Sequence, residues 1–284
     1  MISAEPRPAA PIADGGAPRP AGLAGDEVRA QLFLHCMLPL CDVALRRSPA
    51  MARVLGAWST WRPRSAHTQW RVAAGGPCVG VHLEHGRVRA APEPPAAVPA
   101  LRFADAAQVC AFFTRTPPLA VAAQLARHPL AFAPVLACLG RLRVLAAPAR
   151  VTTAAQRALY VDAALCLIAL GVSQLARAGH RGATAIVQGS PHRVYQWSVG
   201  GSDIASYWRV ERGRSRAGRG VYAGEPHFHV RFASVDAAFR VLSARTGQMD
   251  RLRSGDVETI GSPEYARQVT ELLWDLDQLM LARR

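Results

Sequence analysis

His227 and His229 come closest, in type and spacing, to a metal-binding pair. They flank Phe228 at positions i and i+2, so on a strand both imidazoles leave the same face, where one ion could join them. His192 is the nearest further candidate, and no third ligand of matching kind stands close by in the sequence. Two strand histidines are more often part of a polar surface, so we predict no bound metal.

Motifs for other catalytic chemistry are also missing from the sequence. A nucleophile elbow requires glycines two positions before and after its serine, but Ser190 has Gln188 and His192 there. The segment 213–220 contains glycines and arginines, but it is not a Walker loop and carries no lysine to reach a phosphate. Three carboxylates stand near one another but suit an exposed loop: Asp250, Asp256 and Glu258. We therefore predict that the protein is not an enzyme, with no catalytic residues and no cofactor.

Arginines give this chain its charge. The 284 residues carry a formal net charge of +14, and all 34 basic residues are arginines, as a GC-rich coding sequence tends to produce. Most are scattered, but five are interleaved with glycines beside Tyr207 and Trp208: Arg209, Arg212, Arg214, Arg216 and Arg219. Such a patch can hold the phosphates of nucleic acid or of lipid headgroups. The simpler explanation is a solvated hairpin with an exposed polar face.

The elements that must position these residues occur twice. Residues 69–89 align without a gap over residues 196–216 and match at seven of twenty-one positions, where about one or two matches are expected by chance. After a shift of two residues, Phe103-Ala104-Asp105 aligns with Phe232-Ala233-Ser234. Each copy starts with an apolar helical run, continues through short alternating strands and ends in a capped helix. The sequence thus predicts two related α+β units in tandem.

The two copies differ in how clearly their elements are marked. In the first copy we predict a helix from Asp26 kinked at Pro39, a hairpin around Gly75-Gly76, a turn at His85-Gly86 and a strand from Val88. A helix capped by Asp105, a proline-broken apolar stretch over 119–139 and a last strand at Leu142 and Val144 follow.

In the second copy we predict a helix from a Thr152 or Thr153 cap to Ala178, strands over 195–199 and 204–210, and a turn at Arg212-Gly213. The sheet is predicted to continue at Val221 and Tyr222 and in a strand over 228–232. A helix capped by Ser234, a strand ending at Gly261 and a helix capped by Ser262 and opened by Pro263 complete this copy.

The amino-acid composition indicates the domain boundaries and the cellular compartment. Residues 1–25 are rich in proline and alanine and are predicted to be disordered; residues 26–148 and 149–284 form the first and second units. The six cysteines show no CxxC pair, which indicates reduced core residues. The apolar run 159–176 contains Asp162 and is predicted to be a core helix rather than a membrane span. With no secretory signal, a cytoplasmic protein is expected.

The second copy resembles the sterol carrier protein type two family, small α+β lipid-binding domains. In that family a Pro-x-h-x-h strand, where h is hydrophobic, enters a capped helix, and a glycine-bounded loop, a strand, a turn and a closing helix follow. This chain has matching parts at Pro226 to Val230, Ser234 to Leu242, Gly247, Met249, Gly255, Val257, Ile260, Gly261 and the helix from Pro263. The likeness covers about residues 152–281. The first copy lacks the closing helix and its loop is rewritten with prolines.

The resemblance implies two tandem sterol-carrier-like units, each a mostly antiparallel five-stranded sheet covered by helices on one face, with the first unit degenerate. It also implies non-catalytic binding of an apolar lipid, either a fatty acyl, sterol-like or polyprenyl chain. Burying each methylene of such a chain is favourable by roughly 0.8 kcal/mol, so no polar contact is needed. The predicted lipid-binding residues are Trp197, Trp208, Phe228, Val230, Phe232, Phe239, Leu242, Met249, Leu252, Leu273, Leu276 and Met280.

Two alternatives remain open at this point. All of these apolar residues could be ordinary core, as every α+β domain must bury such a set. The fold could then serve as an interaction or nucleic-acid-binding module that uses the arginine hairpin 209–219. For a lipid carrier, the same arginines would contact an anionic membrane surface. Some bacterial members of the family suggest a further role, in which a polyprenyl intermediate is presented to quinone-making enzymes.

Overall fold

The computed structural model describes residues 25–61, 66–73, 75–91, 98–114, 117–244 and 255–281. They form an α+β architecture with two separate mixed sheets and helices packed against them. The α+β prediction is therefore confirmed. The prediction of two five-stranded sheets is wrong for the first unit, whose described residues give four strands, and each sheet contains one parallel pair of strands.

The first half begins with helices and continues into its sheet. Its helices are α1 (Gly25–Leu32), α2 (Leu38–Arg46), α3 (Pro49–Trp61), α4 (Ala106–Thr114), α5 (Leu119–Arg127) and α6 (Pro129–Leu142). Its strands are β1 (His67–Val72), β2 (Cys78–Glu84), β3 (Arg87–Ala91) and β4 (Ala100–Phe103), in the order β3-β2-β1-β4. A π-helical turn, Phe33–Met37, joins α1 to α2 just before Pro39, where the sequence predicts a kink.

The second half repeats this plan. Its helices are α7 (Ala154–Arg177), α8 (Arg181–Gln188), α9 (Val235–Ser243) and α10 (Pro263–Leu281). Its strands are β5 (His192–Val199), β6 (Ala205–Glu211), β7 (Arg214–Arg219), β8 (Phe228–Phe232) and β9 (Val257–Gly261), in the order β7-β6-β5-β8-β9. Thr153 forms a capping box with Gln156 at the start of α7, and the Ser234 hydroxyl accepts from the Ala237 amide at the start of α9.

Two predicted strand segments are wrong. Leu142 ends α6, and Val144 lies in the 3₁₀ turn Arg143–Leu145, so no last strand forms there. Pro129 occupies the first turn of α6, where its missing N–H has no consequence, and burial of the apolar face of α6 outweighs the cost of a second proline inside the helix. β7 ends at Arg219, so Val221 and Tyr222 lie outside the sheet.

The strand registers agree with the sequence repeat. β1 pairs in parallel with β4 so that Val72 lies beside Phe103, and β5 pairs with β8 so that Val199 lies beside Phe232. The first alignment equates the two valines, and the shifted second alignment equates the two phenylalanines. Two independently aligned segments therefore meet in the same register in both halves, which supports duplication of the whole β-β-β-β unit.

Equivalent tight turns connect the hairpins of the two sheets. His85 and Gly86 have φ values of 48° and 72°, and Arg212 and Gly213 have φ values of 48° and 70°. A two-residue hairpin with positive φ at both central positions is a type I′ turn, which favours glycine at the second. The predicted turns at His85-Gly86 and Arg212-Gly213 are thus confirmed.

The two sheets share one continuous buried core. α2 packs on β3 and α6, α7 packs on β6 and β7, and α2 and α7 pack against each other. α1 also contacts α10 near the end of the second half. Five of the six cysteines are buried in this core and all are free, as predicted. Burial next to Asp162 raises the pKa of the Cys166 thiol to about 12, so this thiol stays protonated.

Two helical stretches, Gly25–Arg46 and Ala154–Arg177, are long and apolar enough to cross a membrane by length and composition. In the structure, 61% and 72% of the residues in their most apolar windows are buried. Core helices of soluble proteins pass the same test. The burial of α7 agrees with the prediction of a core helix.

Candidate functional site

The helix-facing side of the second sheet carries five of the twelve predicted lipid-binding residues. Trp197 of β5, Trp208 of β6, and Phe228 and Phe232 of β8 are all buried there. Trp208 stacks on Tyr195 with ring centroids 4.8 Å apart. Its Nε1 donates to Ser215 Oγ over 2.7 Å, and Ser215 in turn donates to Ser173 of α7. These contacts fill the space between β5, β6 and α7 with the protein's own side chains.

Val230 departs from this pattern. It occupies the middle of β8, a strand with neighbours on both sides, and points to the same face as Phe228 and Phe232 because side chains alternate along a strand. Both phenylalanines are buried, but Val230 is half-buried. A closed helical layer would bury all three equally. We call the partly exposed apolar surface around Val230 the opening over β8.

Helices α9 and α10 also keep some apolar surface partly exposed. α9 leaves the sheet directly after β8, and its Phe239 and Leu242 are half-buried and packed against the core. Phe239 lies edge-on to Tyr160 with centroids 5.1 Å apart, and the Tyr160 hydroxyl donates to the Leu242 carbonyl. On α10, Leu273 is half-buried as well. The partly exposed apolar residues of the predicted set thus lie on β8, α9 and α10.

The remaining members of the predicted set lie elsewhere. Leu276 and Met280 are buried on the core side of α10, and a Cβ on Gly171 of α7 would lie only 2.5 Å from Leu276 Cδ2. α7 and α10 are therefore in direct contact there. Met249 and Leu252 lie outside the described residues.

The five arginines predicted to act together do not share one surface. Arg214 and Arg216 are exposed on β7 and leave the same face, whereas Arg219 leaves the opposite face and binds the buried Asp162 with Nη2 2.6 Å from Oδ2. Strand alternation thus turns Arg219 away from the face of Arg214 and Arg216, and a carboxylate within the fold already holds its guanidinium. Arg209 lies beside Arg216 in the ladder and 3.5 Å from Glu211, and Arg212 forms the turn.

The histidines of the second sheet have partners within the protein. His229 Nε2 lies 2.8 Å from Ser198 Oγ, and the His227 and His192 rings meet edge to face at 5.4 Å. Burial lowers the pKa of His229, and burial followed by the nearby His192 lowers that of His227. Across the described ranges, no group of three or more His, Cys, Asp or Glu side chains has the geometry to hold a metal.

A polar cleft between α8 and α10 was missed by sequence reasoning. Ser190, excluded above as a nucleophile, lies in its wall together with Arg193 and three polar residues of α10: Gln268, Glu271 and Asp275. Those three recur at intervals of three and four, which places them along one flank of the helix. A polar helical stripe is usually solvated, so the spacing alone could not distinguish a binding wall from a surface.

Comparisons with known proteins do not assign a family. No family model and no curated protein matches the chain. Among solved structures, a double mutant of the sec-alkyl sulfatase PisA1 matches with 14% sequence identity and a TM-score of 0.24. The match covers 55% of this chain and 30% of the sulfatase chain.

Proposed function

We propose that this protein binds an apolar lipid without catalysing a reaction, at the opening over β8 between α9 and α10. The observation that carries the proposal is the incomplete burial of Val230 on the core face of a strand with neighbours on both sides. Phe239 and Leu242 of α9 and Leu273 of α10 are also partly buried, and we propose that they extend this apolar surface. We propose further that the second half is a sterol-carrier-like unit and that the first half is its degenerate copy.

The chemistry of this opening suits a hydrocarbon chain. The flanking side chains are carbon-rich, and each methylene that moves from water onto them contributes about 0.8 kcal/mol. A chain of about a dozen methylenes would then be held tightly without a polar contact. The ligand class is therefore a fatty acyl, sterol-like or polyprenyl lipid, and the protein acts as a cytoplasmic carrier or store.

Lipid extraction and fluorescent fatty-acid uptake test this function. Native mass spectrometry of the purified protein should show a bound lipid, and a fluorescent C16 fatty acid should bind the delipidated protein. Val230→Trp should fill the opening and weaken that binding at least tenfold. Val221→Trp is the matched control, because it adds the same ring at an exposed position outside the sheet.

The result must separate blocked binding from misfolding. Thermal unfolding shows whether Val230→Trp still folds, and Leu273→Gln provides a second, smaller change at the same opening. Absence of extracted lipid, together with no fatty-acid binding by the unaltered protein, rejects the proposal. Equal fatty-acid affinity of folded Val230→Trp and Val221→Trp rejects the location.

An anionic membrane surface is the partner we propose for the exposed arginines. Arg214 and Arg216 leave the same face of β7, and Arg209 lies beside Arg216 in the neighbouring strand. Three guanidinium groups on adjacent strands can hold lipid phosphates through charge-assisted hydrogen bonds. A lipid carrier would use such a face to dock where it collects or delivers its ligand.

A further inference from the structure

The polar cleft between α8 and α10 has the size of a small-molecule site. Its volume is about 620 Å³, within the range typical of ligand pockets. The cleft lies on the flank of α10 that carries Gln268 and Asp275, away from Leu273 and the apolar opening. Its polar lining includes His180, Arg181, Ser190, Arg193, Gln268 and Asp275.

Buried polar atoms without partners concentrate at this cleft. Within the described ranges, the buried side-chain atoms that lack a hydrogen bond are His180 Nδ1, Ser190 Oγ, Tyr195 Oη and Gln268 Oε1. His180, Ser190 and Gln268 line the cleft, and Tyr195 is connected to it through Arg193. Native proteins pair almost all such atoms, because an unpaired buried polar group destabilises the fold. Three of the four atoms belong to residues that line this one cleft, where a ligand or an ordered water would pair them.

One end of the cleft offers hydrogen-bond donors and positive charge. Ser190 is only 3% exposed, and its hydroxyl is free to donate into the cleft. The Arg193 guanidinium lies 4.6 Å from the centre of the Tyr265 ring, and no carboxylate forms a salt bridge with it among the described residues. Burial raises the pKa of Tyr195, while a hydrogen bond from Arg193 to its oxygen and the charge of Arg193 oppose that shift; the hydroxyl stays protonated and able to donate. This end suits an anion.

The rest of the cleft offers acceptors and negative charge. Gln268 Nε2 donates to the Glu264 carboxylate over 2.9 Å, which fixes the amide orientation and leaves Oε1 as a free acceptor. His180 Nε2 lies 3.4 Å from Asp275 Oδ2, so the neutral ring carries its proton on Nε2 and Nδ1 is an acceptor. Glu271 stands between these two residues on α10, is exposed and also accepts a hydrogen bond from Arg267 Nη1 over 2.7 Å, and Arg181 lines the same cleft. This part suits a ligand that donates hydrogen bonds, above all an ammonium group.

We infer that this cleft binds a small molecule with a carboxylate at one end and a primary amine at the other. The carboxylate lies against Arg193 and Ser190, at the end of the cleft where Gln268 stands, and the amine lies at the other end among Glu271, Asp275 and His180. α8 separates His180 from Ser190 by eight helical residues, about 12 Å at 1.5 Å per residue, so the two charges of the ligand stand several ångströms apart. The ligand class is an ω-amino acid or a compound of the same shape, and the site is independent of the proposed lipid function.

Isothermal titration calorimetry with three matched probes tests this assignment. 6-Aminohexanoate carries both groups, hexanoate only the carboxylate and hexylamine only the amine. The full-length protein should bind 6-aminohexanoate at least about tenfold more tightly than either single-group probe. 4-Aminobutyrate and 8-aminooctanoate, which change the charge separation, measure the length that the cleft prefers.

Three substitutions locate the binding. Arg193→Gln should weaken the binding of both 6-aminohexanoate and hexanoate at least tenfold. Glu271→Gln should lower the affinity for 6-aminohexanoate toward that for hexanoate and leave hexanoate unchanged. Arg102→Gln is the matched control, because it removes an equally charged but exposed arginine on β4 of the first half and should change neither affinity.

Ser190→Ala supplies a readout that does not depend on the choice of probe. If a ligand is the natural partner of this hydroxyl, removing it should leave the thermal stability of the ligand-free protein unchanged or raise it, and should weaken 6-aminohexanoate binding. A marked loss of ligand-free stability would show that an ordered water or the fold itself satisfies the hydroxyl, and it would overturn the inference. Equal affinity for 6-aminohexanoate and hexanoate, or binding of none of the probes, would also overturn it.

Discussion

Arg47, which follows α2 in the first half, donates from Nε to Oδ2 of Asp162 in α7 of the second half over 2.6 Å. The Asp162 carboxylate is 1% exposed and also receives two hydrogen bonds from Arg219 of β7. The second nitrogen of Arg47 reaches Asp203, the residue before Ile204 on the way into β6. One buried carboxylate therefore connects an end of the first half to a helix and a strand of the second.

Replacing Asp162 with asparagine should destabilise the protein strongly. The substitution keeps the shape but leaves two partly buried guanidinium groups without their common counter-ion, which costs about 3–5 kcal/mol for comparable buried pairs. Asp236→Asn is the control, because its carboxylate is 59% exposed and pairs with Arg157 at the surface, where about 1 kcal/mol or less is expected. Urea unfolding measures both free energies. Equal losses of unfolding free energy in the two variants would show that the buried Asp162 carboxylate does not hold the two halves together strongly.

Two glycine-to-alanine changes should shift the stability of the protein in opposite directions, because Gly171 lies at the close contact between α7 and α10 and Gly140 does not. A Cβ on Gly171 would lie 2.5 Å and 2.6 Å from the two methyl carbons of Leu276, so Leu276 must move, at a cost of about 1–3 kcal/mol. Gly140 of α6 has nothing within 4 Å of an added Cβ, so alanine there should stabilise the helix by about 0.5–1 kcal/mol. Thermal unfolding of the two variants checks the signs. A stabilising Gly171→Ala would mean that α10 can move away from α7.

The stability of the protein should depend on which residue occupies the first central position of the type I′ turn between β6 and β7. Arg212 adopts a φ of 48°, a left-handed conformation that costs most residues about 1–2 kcal/mol and asparagine less. Arg212→Asn should therefore stabilise the protein by up to about 1 kcal/mol, and Gly213→Ala should destabilise it by a similar amount although its added Cβ meets nothing within 4 Å. Chemical unfolding measures both. His85→Asn should also stabilise the protein, because the His85-Gly86 turn has the same φ pattern as the Arg212-Gly213 turn.

The repeat explains why so much of the two sheets could be predicted from the sequence. Hairpin turns with Gly86 and Gly213, alternating strands and the capping side chains of Asp105 and Ser234 are local signals, and the structure places each of them as expected. The parallel pairing of β5 with β8 is not local. The sequence marked Val199 and Phe232 as repeat positions, but it did not show that they lie side by side.

Other features depend on contacts that no local pattern encodes. The stretch over 119–142 contains three helix-breaking signals in sequence, but buried apolar faces make it two helices, α5 and α6. Arg219 matched the neighbouring arginines in type, but strand alternation and the distant Asp162 turned it inward. The polar cleft arises because α8 and α10, about 80 residues apart in the chain, lie side by side. Tertiary packing decided each of these.

Removing exposed arginines should weaken membrane contact without affecting the fold. Arg214→Gln combined with Arg216→Gln removes two charges from the exposed face of β7. Binding to vesicles that contain 30% phosphatidylserine should fall at least fivefold, and the affinity for a fluorescent fatty acid should stay unchanged. Arg102→Gln and Arg127→Gln, at exposed positions of the first half, form the control pair. A parallel loss of salt-dependent RNA binding, with vesicle binding intact, would favour the nucleic-acid alternative instead.

Buried histidines should make the protein less stable in mild acid. Burial lowers the pKa of His82, and the His67 ring stacked on it at 3.8 Å lowers it further; burial also lowers the pKa of His35, His227 and His229. In the unfolded chain a histidine titrates near about 6.5, so below that pH the unfolded state binds more protons than the folded state. The stability contributed by these neutral imidazoles is fully present above about pH 6.5 and is lost as the pH falls from there toward their lowered folded-state values.

Urea unfolding at intervals between pH 8 and pH 5 measures this dependence. The free energy of unfolding should decrease steadily below about pH 6.5. His82→Gln should make the decrease smaller, because it removes one of the titrating groups, whereas His128→Gln, at an exposed position before α6, should leave the slope unchanged. A pH profile that is the same for His82→Gln as for the unaltered protein would show that His82 binds protons equally in the folded and unfolded states.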